Sequence, residues 1–126
     1  MVVTERYCSY EVAKLLKEKG FDIWCDTYYT RFGTFKYNLY KKAIDTSLAC
    51  YAPTQQMACD WIFNKYGIHI SLEYDSCIDC WEYHIYFVDK PNSHVYSKGI
   101  ANKERAINYA IICVLTNYEP KEKEQE

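Results

Sequence analysis

The clearest pattern of hydrophobic and polar positions in the chain occurs twice. Residues 12–23 have the sequence VAKLLKEKGFDI, and residues 59–70 have the sequence CDWIFNKYGIHI. Each copy combines apolar positions at helical spacing, a basic last turn, a glycine and an apolar-polar-apolar stretch. Glycine is a common helix stop because it adopts left-handed φ angles without steric cost. The pattern therefore predicts two helix–strand units, and since the copies share character more than identity, a duplication stays a hypothesis.

The first half of the chain is predicted to hold one helix and two strands. The helix begins after Ser9, whose hydroxyl can cap the free amides of the first turn, and it ends at Gly20. Alternation and turn residues then predict a strand over residues 21–29 and a turn over 31–34. A second strand over residues 35–40 and a connection over 41–53 follow.

The second half is predicted to hold two helices flanking a hairpin. Helix 2 begins with Thr54 as its cap and ends at Gly67, and helix 3 begins near Asn102. Helix 3 is the most apolar and is expected at the centre of the core. Between the helices we predict a strand over residues 68–74, a connection over 75–80 and a second strand over 81–88. A turn over residues 91–93 and a short third strand over 94–97 follow.

The element order α-β-β-α-β-β-(β)-α predicts a two-layer α+β fold. We expect three helices packed on one face of a largely antiparallel sheet, in a single domain over residues 1–118. The last residues, 119–126, have the sequence EPKEKEQE, which offers no apolar group to bury and predicts a disordered charged tail. The second half alone also has the element order of double-stranded RNA-binding domains, but no matching basic loop accompanies it.

Composition favours a small soluble protein of the cytoplasm. The net charge of -2 gives no overall attraction to nucleic acid or anionic membrane. The N-terminus shows no signal peptide, and the longest fully apolar run, 109–115, is far shorter than a bilayer span. The 7 cysteines are an odd number without framework spacing, which predicts free thiols. The 14 tyrosines suit half-exposed sheet faces and interfaces, because each joins an apolar ring to a polar tip.

Two segments carry a resemblance to a protein family. Residues 9–20, SYEVAKLLKEKG, and residues 53–70, PTQQMACDWIFNKYGIHI, are followed by two predicted strands and a C-terminal helix. This arrangement resembles an uncharacterised family of short proteins from gut anaerobic bacteria and their phages or mobile elements. The resemblance covers most of residues 8–118, and the PTQxMAxxWx run is its most specific part. It implies a small cytoplasmic accessory protein, and it implies neither an activity nor functional residues.

The sharpest metal-like motif is Cys77-Ile-Asp-Cys80. Two thiolates at this spacing can hold zinc, but zinc requires two further ligands. His69 and His84 are the candidates, and if Tyr74 pairs with Trp81, His84 lies opposite Ser71 and diagonal to His69. Reaching Cys77 from there would need a folded loop. We therefore interpret the two cysteines as ordinary loop thiols and predict no metal and no cofactor.

The same register places Glu73 directly opposite Glu82. Like charges across a ladder are destabilising, and residues 73–82 carry four acidic residues and no basic one. The preferred interpretation is a different register or an exposed, solvated loop. The alternative is a cation or a basic partner held between the carboxylates.

A basic and aromatic segment lies in the first half. Residues 28–42 contain four basic residues and no acidic one, interleaved with six aromatic residues. Such a ribbon could bind a single-stranded nucleic acid, because bases stack on rings while cations contact phosphates. A hairpin whose aromatics pack inward is the plainer alternative, and a protein interface is favoured over nucleic acid. The basic and acidic segments are also complementary, so they could join two copies of the chain.

No enzyme motif occurs, since the glycines form neither a phosphate loop nor a dinucleotide fingerprint. The leading hypothesis is a non-enzymatic protein-interaction module with an unknown protein partner, which could be a second copy of the chain. The alternative is a nucleic-acid-binding accessory protein that uses residues 28–42. The expected interaction surface comprises Tyr28, Tyr29, Arg31, Phe32, Lys36, Tyr40, Lys41, Lys42, His69, Glu73, Glu82, His84 and Tyr86.

Overall fold

The computed structural model describes residues 6–37 and 48–121. Within these ranges the chain forms three helices and six strands. In chain order they are α1 (Tyr10–Glu18), β1 (Tyr28–Thr30), β2 (Phe35–Lys36), β3 (Leu48–Tyr51), α2 (Gln55–Tyr66), β4 (Ile68–Asp75), β5 (Cys80–Phe87), β6 (Lys90–Ile100) and α3 (Lys103–Asn117). No helix in the described residues has both the length and the apolar character that crossing a bilayer requires.

The strands form two antiparallel sheets, and the fold class is α+β as predicted. One sheet has the strand order β2-β1-β3 and the other has the order β4-β5-β6. The prediction of a single sheet with three helices on one face is therefore wrong. Helix α1 packs against β3, whereas α3 packs against all three strands of the second sheet.

The chain divides into two compact units, residues 1–58 and 59–126. The prediction of one domain over residues 1–118 stays a prediction. In the predicted tail, the Lys121 N–H donates to the Lys65 carbonyl at 2.8 Å, and residues 122–126 lie outside the described part.

In the first unit the boundaries of α1 follow from its capping residues. The Val12 N–H donates to Ser9 Oγ at 3.2 Å, and Gly20 follows the helix with a φ of 96°. The strand predicted over residues 21–29 is wrong except at its end, because only Tyr28–Thr30 forms β1. Ile23 and Trp24 are successive residues and both exposed, so the stretch has no face of period two to bury.

The predicted connection over residues 41–53 contains a strand. Leu48–Tyr51 forms β3, which pairs with β1 and makes β1 the central strand. This run is only four residues long and offers few alternating positions, so its pattern does not distinguish a strand from a connection. The predicted turn at residues 31–34 and the start of the following strand are confirmed, with β2 at Phe35–Lys36. The rest of that predicted strand, from residue 38, lies outside the described residues.

Helix α2 begins and ends where its capping residues predict. The Met57 N–H donates to Thr54 Oγ1 at 3.1 Å, and Gly67 follows the helix with a φ of 67°. The next strand, β4, begins at once with Ile68. The two copies of the initial pattern therefore share a helix and a glycine stop, while the immediate strand occurs only in the second.

The β4–β5 hairpin adopts the register in which Glu73 lies opposite Glu82. Tyr74 pairs with Trp81, and the ladder continues without interruption to Ile68 and Phe87. The turn predicted at residues 91–93 is wrong, because these residues belong to β6 and the turn is formed by residues 88–89. Pro91 is tolerated because β6 is an edge strand of the sheet.

Helix α3 supplies the core of the second unit. The Arg105 N–H donates to Asn102 Oδ1 at 2.9 Å, which confirms the predicted cap. Its buried residues are Ala106, Ala110, Ile111, Val114 and Leu115. They recur at helical spacing and pack on the sheet face that carries the fully buried Ile85.

Replacing Ile111 with alanine tests the central position of α3. Ile111 is fully buried, so we expect the free energy of unfolding to fall by about 2–5 kcal/mol through loss of apolar contacts and a residual cavity. Urea denaturation followed by circular dichroism measures the loss. The matched control is Ile112→Ala, the same chemical change at a partly exposed neighbour. A loss at Ile111 no larger than that at Ile112 would contradict the placement of α3 in the core.

Candidate functional site

The basic and aromatic hairpin of the first unit packs its first rings inward. Tyr28 is fully buried, and Tyr29 is half-buried with its hydroxyl donating to the Cys8 carbonyl at 2.7 Å. The Phe35 ring lies 5.0 Å from the ring of Tyr7. These contacts favour the inward-packed hairpin over a continuous row of exposed rings.

The tip of the same hairpin is exposed. Arg31 and Lys36 are exposed, and Phe32 exposes 84% of its surface. The guanidinium of Arg31 lies 5.9 Å from the centre of the Phe32 ring. The remaining predicted surface residues of this segment, Tyr40, Lys41 and Lys42, lie outside the described residues.

The predicted surface residues of the second unit lie on one face of the second sheet. Side chains alternate between faces along a strand, and in β5 the odd-numbered residues face α3. Phe87 contacts Tyr118 at the end of α3, with ring centres 5.1 Å apart, and Tyr83 is hydrogen-bonded to Cys113. The even-numbered residues of β5 therefore lie on the opposite face. We call this opposite face, with His69, Glu73, Glu82, His84, Tyr86, His94 and Tyr96, the polar face.

Glu73 and Glu82 are directly opposite each other on the polar face, as the register predicts. The first form of the preferred interpretation, a different register, is therefore wrong, and its second form, an exposed and solvated position, fits Glu73 but not Glu82. His84 relieves the pair instead, because its Nε2 lies 2.8 Å from Oε1 of Glu82 and 3.6 Å from Oε2 of Glu73. The side chains of His84 and Glu82 expose only 10% and 12% of their surface, whereas that of Glu73 exposes 60%.

His84 also contacts a second histidine through its other ring nitrogen. Nδ1 of His84 lies 2.7 Å from Nε2 of His94. If neutral His84 donates from Nε2 to Glu82, its Nδ1 is an acceptor, and His94 donates the proton between the two rings. The 2.7 Å between the two nitrogens leaves room for only one proton, so one nitrogen donates and the other accepts. The result is a hydrogen-bonded chain that runs from Glu82 through His84 to His94.

Four rings stack next to this chain, and we call them the ring cluster. Its members are His84, Tyr86, His94 and Tyr96, which pair across β5 and β6 as His84 with Tyr96 and Tyr86 with His94. The rings of Tyr86 and His94 are 4.7 Å apart and nearly parallel, at 2°. The two histidine rings are 4.9 Å apart at 10°. The cluster thus fixes the orientation of both imidazoles.

His69 lies at the end of the ring cluster that is remote from Glu73. Its ring centre is 6.4 Å from that of Tyr86, at 27°. His69 is exposed, and Tyr86 exposes 39% of its surface. The structure therefore brings five of the predicted surface residues onto one face, in a row from His69 through Tyr86 and His84 to Glu82 and Glu73.

The CIDC motif forms the tip of the β4–β5 hairpin. The Tyr74 hydroxyl donates to Asp79 Oδ1 at 2.6 Å, and the Cys77 N–H donates to Asp75 Oδ1 at 3.0 Å. Both thiols are free, with Cys77 exposed. Within the described ranges, the group of His, Cys, Asp and Glu residues with metal-site spacing is Glu73, Glu82 and His84, and the two cysteines are not part of it.

The environment shifts the pKa of one carboxyl of the polar face and of two thiols elsewhere in the chain. The hydrogen bond from His84 lowers the pKa of Glu82 below its ordinary value of 4.5. Burial raises the pKa of the Cys25 and Cys59 thiols to about 11. Glu82 is therefore held as a carboxylate, while Cys25 and Cys59 stay protonated and unreactive.

Sequence reasoning missed three residues of the polar face, namely His94, Tyr96 and Lys98. The expected interaction surface contains none of the three. The available signal was their period of two within KPNSHVYSKG, which the Pro-Asn-Ser turn signal outweighed. Lys98 is also placed here, with its Nζ 5.5 Å from the centre of the Tyr96 ring.

Comparison with known proteins adds no assignment. No family model, curated protein or solved structure matches the chain significantly. The interpretation of the polar face therefore depends on its own geometry.

The lowered pKa of Glu82 predicts a pH-dependent contribution to stability. A carboxyl group whose pKa is lower in the folded state stabilises the fold above its unfolded pKa, and this stabilisation is lost as the pH falls through the folded value. Relative to wild type, Glu82→Gln should be destabilised most near neutral pH, and the difference should shrink below about pH 4.5. Urea midpoints across this range measure it. The control is Asp22→Asn, which removes an exposed carboxyl of the first unit. A constant difference for Glu82→Gln would contradict the hydrogen bond.

The contact between the two histidines predicts a coupling visible by NMR. In uniformly ¹⁵N-labelled protein, the shared proton should give a scalar coupling between Nδ1 of His84 and Nε2 of His94, because their separation of 2.7 Å is that of a hydrogen bond. His94→Phe keeps a stacked ring but has no nitrogen, so the coupling should vanish. The exposed His69 is the internal reference. Equal spectra for His69 and His84 would contradict the contact.

Proposed function

We propose that the chain is a small cytoplasmic accessory protein that acts as a non-enzymatic protein-interaction module. Its binding surface is the polar face of the second sheet, and its partner is a protein segment that carries arginine side chains. The observation that carries the proposal is the ring cluster, stacked and partly exposed beside two carboxylates.

The ring cluster has the character of an interface anchor. Tyr96 exposes 54% of its surface, Tyr86 exposes 39%, and His94 is exposed. Tyrosine is enriched at the centre of protein interfaces, because it offers a large apolar area and loses little conformational entropy on binding. Stacking against one another already restricts these rings, which lowers the entropy lost on binding further.

Charge next to the rings favours a basic partner. Glu73 and Glu82 lie side by side at one end of the polar face, and Glu73 is accessible with 60% of its side chain exposed. An arginine guanidinium can stack on an aromatic ring and donate two parallel hydrogen bonds to a carboxylate. The protein itself shows that a cation fits over these rings, since Lys98 lies over Tyr96.

The alternative proposal, nucleic-acid binding by residues 28–42, has less support. Tyr28 is buried and Tyr29 is bonded to the backbone, so neither ring is free to stack on bases. Phe32 and Tyr37 are the large aromatic side chains that stay exposed in the described part of this segment. They lie beside Arg31 and Lys36 in the sequence. These two cations could contact phosphates, so the alternative predicts binding that weakens as salt increases.

Fluorescence anisotropy with labelled peptides tests the proposal. We expect an arginine–glycine repeat to bind more tightly than a lysine–glycine repeat of equal charge, because only the guanidinium stacks and donates in a fork. Tyr86→Ala and Tyr96→Ala should each weaken binding by about two- to fivefold, the value of an exposed cation–π contact of about 0.5–1 kcal/mol.

The matched control is Tyr109→Ala. Tyr109 lies on α3 and exposes 50% of its surface, close to the value for Tyr96, so its loss should leave peptide binding unchanged. Equal binding of the two repeats, or an equal effect of all three variants, would contradict the proposal. Salt-sensitive binding of an oligonucleotide, abolished when Lys36, Lys41 and Lys42 are replaced together, would favour the alternative.

A further inference from the structure

We infer that Glu73, Glu82 and His84 form a binding site for a divalent transition-metal ion of the zinc type, with His94 holding the histidine ligand in place. This inference goes beyond partner binding and does not rest on it. It starts from two carboxylates and one imidazole whose ligand atoms all lie within 4.8 Å of one another.

The separations of the ligand atoms suit a metal centre. Zinc bonds of about 2.0–2.1 Å in a tetrahedral site place neighbouring ligand atoms roughly 3.3 Å apart. Nε2 of His84 lies 2.8 Å from the Glu82 oxygen and 3.6 Å from the Glu73 oxygen, which brackets this value. An ion can therefore replace the proton on Nε2 through adjustment chiefly of the Glu73 side chain, which exposes 60% of its surface.

The backbone holds these ligands at fixed positions. Glu73 and Glu82 are paired directly across β4 and β5, and His84 follows Glu82 by two residues, on the same face. Adjacent strands of a sheet vary little in spacing, so the site requires no loop closure. Sites built on strands are more precise than sites built on loops.

His94 completes the arrangement because it contacts the ring nitrogen of His84 that faces away from the ion. A histidine that binds metal through Nε2 carries its proton on Nδ1, and such ligands donate that proton to a nearby acceptor. Nε2 of His94 lies 2.7 Å from Nδ1 of His84 and is the acceptor in the metal-bound form. When an ion takes Nε2 of His84, the proton on that nitrogen is released to solvent, the proton between the rings shifts to Nδ1 of His84, and Nδ1 of His94 takes up a proton from solvent. The hydrogen bond between the two rings thereby reverses its direction.

The ligand set selects the class of ion. Calcium takes six to eight oxygen ligands and magnesium keeps an octahedral shell of oxygens, whereas zinc and its neighbours accept imidazole nitrogen together with carboxylate oxygen. Three protein ligands leave one position for water. A divalent ion also removes the repulsion of two adjacent carboxylates, one of which has only 12% of its side chain exposed.

Metal titration of the full chain tests the inference. Isothermal titration calorimetry with zinc chloride, at neutral pH and without peptide, should show one equivalent bound per chain. Cobalt(II), as a spectroscopic substitute, should give visible absorption without the near-ultraviolet band of a thiolate ligand. The same titration of the double variant Cys77→Ser, Cys80→Ser should be unchanged, because these thiols are not part of the ligand group.

Two variants and one control assign the ligands. Glu73→Gln alters a largely exposed side chain and should weaken zinc binding at least tenfold with an unchanged circular dichroism spectrum. His94→Phe keeps an aromatic ring but removes the acceptor, and should weaken binding by about tenfold, the lower end for loss of a hydrogen-bond partner of a metal-binding histidine. Asp89→Asn, in the exposed β5–β6 turn, is the matched control and should bind as wild type does.

Several outcomes would overturn the inference. They are no zinc binding, binding lost with the two cysteines, equal binding by Glu73→Gln, or magnesium competing as well as zinc. Since the metal titration contains no peptide and the peptide experiment contains no metal, each proposal can fail while the other stands. Added zinc that displaces an arginine peptide would further show that both use the same carboxylates.

Discussion

The antiparallel pairing of β4 with β5 is the constraint on which the second unit depends. This one register decides which residues face α3 and which lie on the polar face, because a slip by one residue would exchange the two sets. In the observed register Ile85 is fully buried on the side of α3, and Glu73 lies against Glu82 on the other side. Burial of apolar side chains is therefore what holds two like charges together.

The consequence of this pairing is that the repulsion between the two carboxylates is relieved only in part by the protein's own side chains. His84 contacts both carboxylates, and the hydrogen bond that it shares with Glu82 favours the ionised carboxyl. Its ring is in turn held by His94 and by stacking against Tyr86 and Tyr96. The rings and the strands thus hold the side chains in fixed positions, while the two carboxylates can still bind a cation. Fixed side chains around an open charge are typical of a binding site.

Local chemistry explains how much of the fold could be predicted from the sequence. The ends of the helices were predictable because Ser9, Thr54 and Asn102 bond to amides only three residues away. Alternation over a long hairpin indicated the β4–β5 register, but the like charges of Glu73 and Glu82 argued against it, and only the structure decides between the two. The strand β3 was missed because it is short and gains its partner, β1, from about 20 residues earlier.

Only the part of the candidate site that lies on the β4–β5 hairpin could be predicted from the sequence. Glu73, Glu82 and His84 could be placed together from one hairpin, since their positions follow from a single register. His94 could not, because the Pro-Asn-Ser sequence resembles a turn and conceals the first part of β6. Its contact with His84 is also diagonal across two strands, and the β5–β6 pairing contains two irregularities. Such a contact depends on a register that alternation alone does not define.

The exposed thiol at the tip of the β4–β5 hairpin has a practical consequence for work with this protein. Cys25 and Cys59 are protected by burial and by their raised pKa, while Cys77 is exposed. During storage in air, covalent dimers would form first through this tip, at the end of the sheet next to Glu73 and Glu82. A maleimide fluorophore attached to Cys77 would in turn report from beside the carboxylates and leave the ring cluster unmodified.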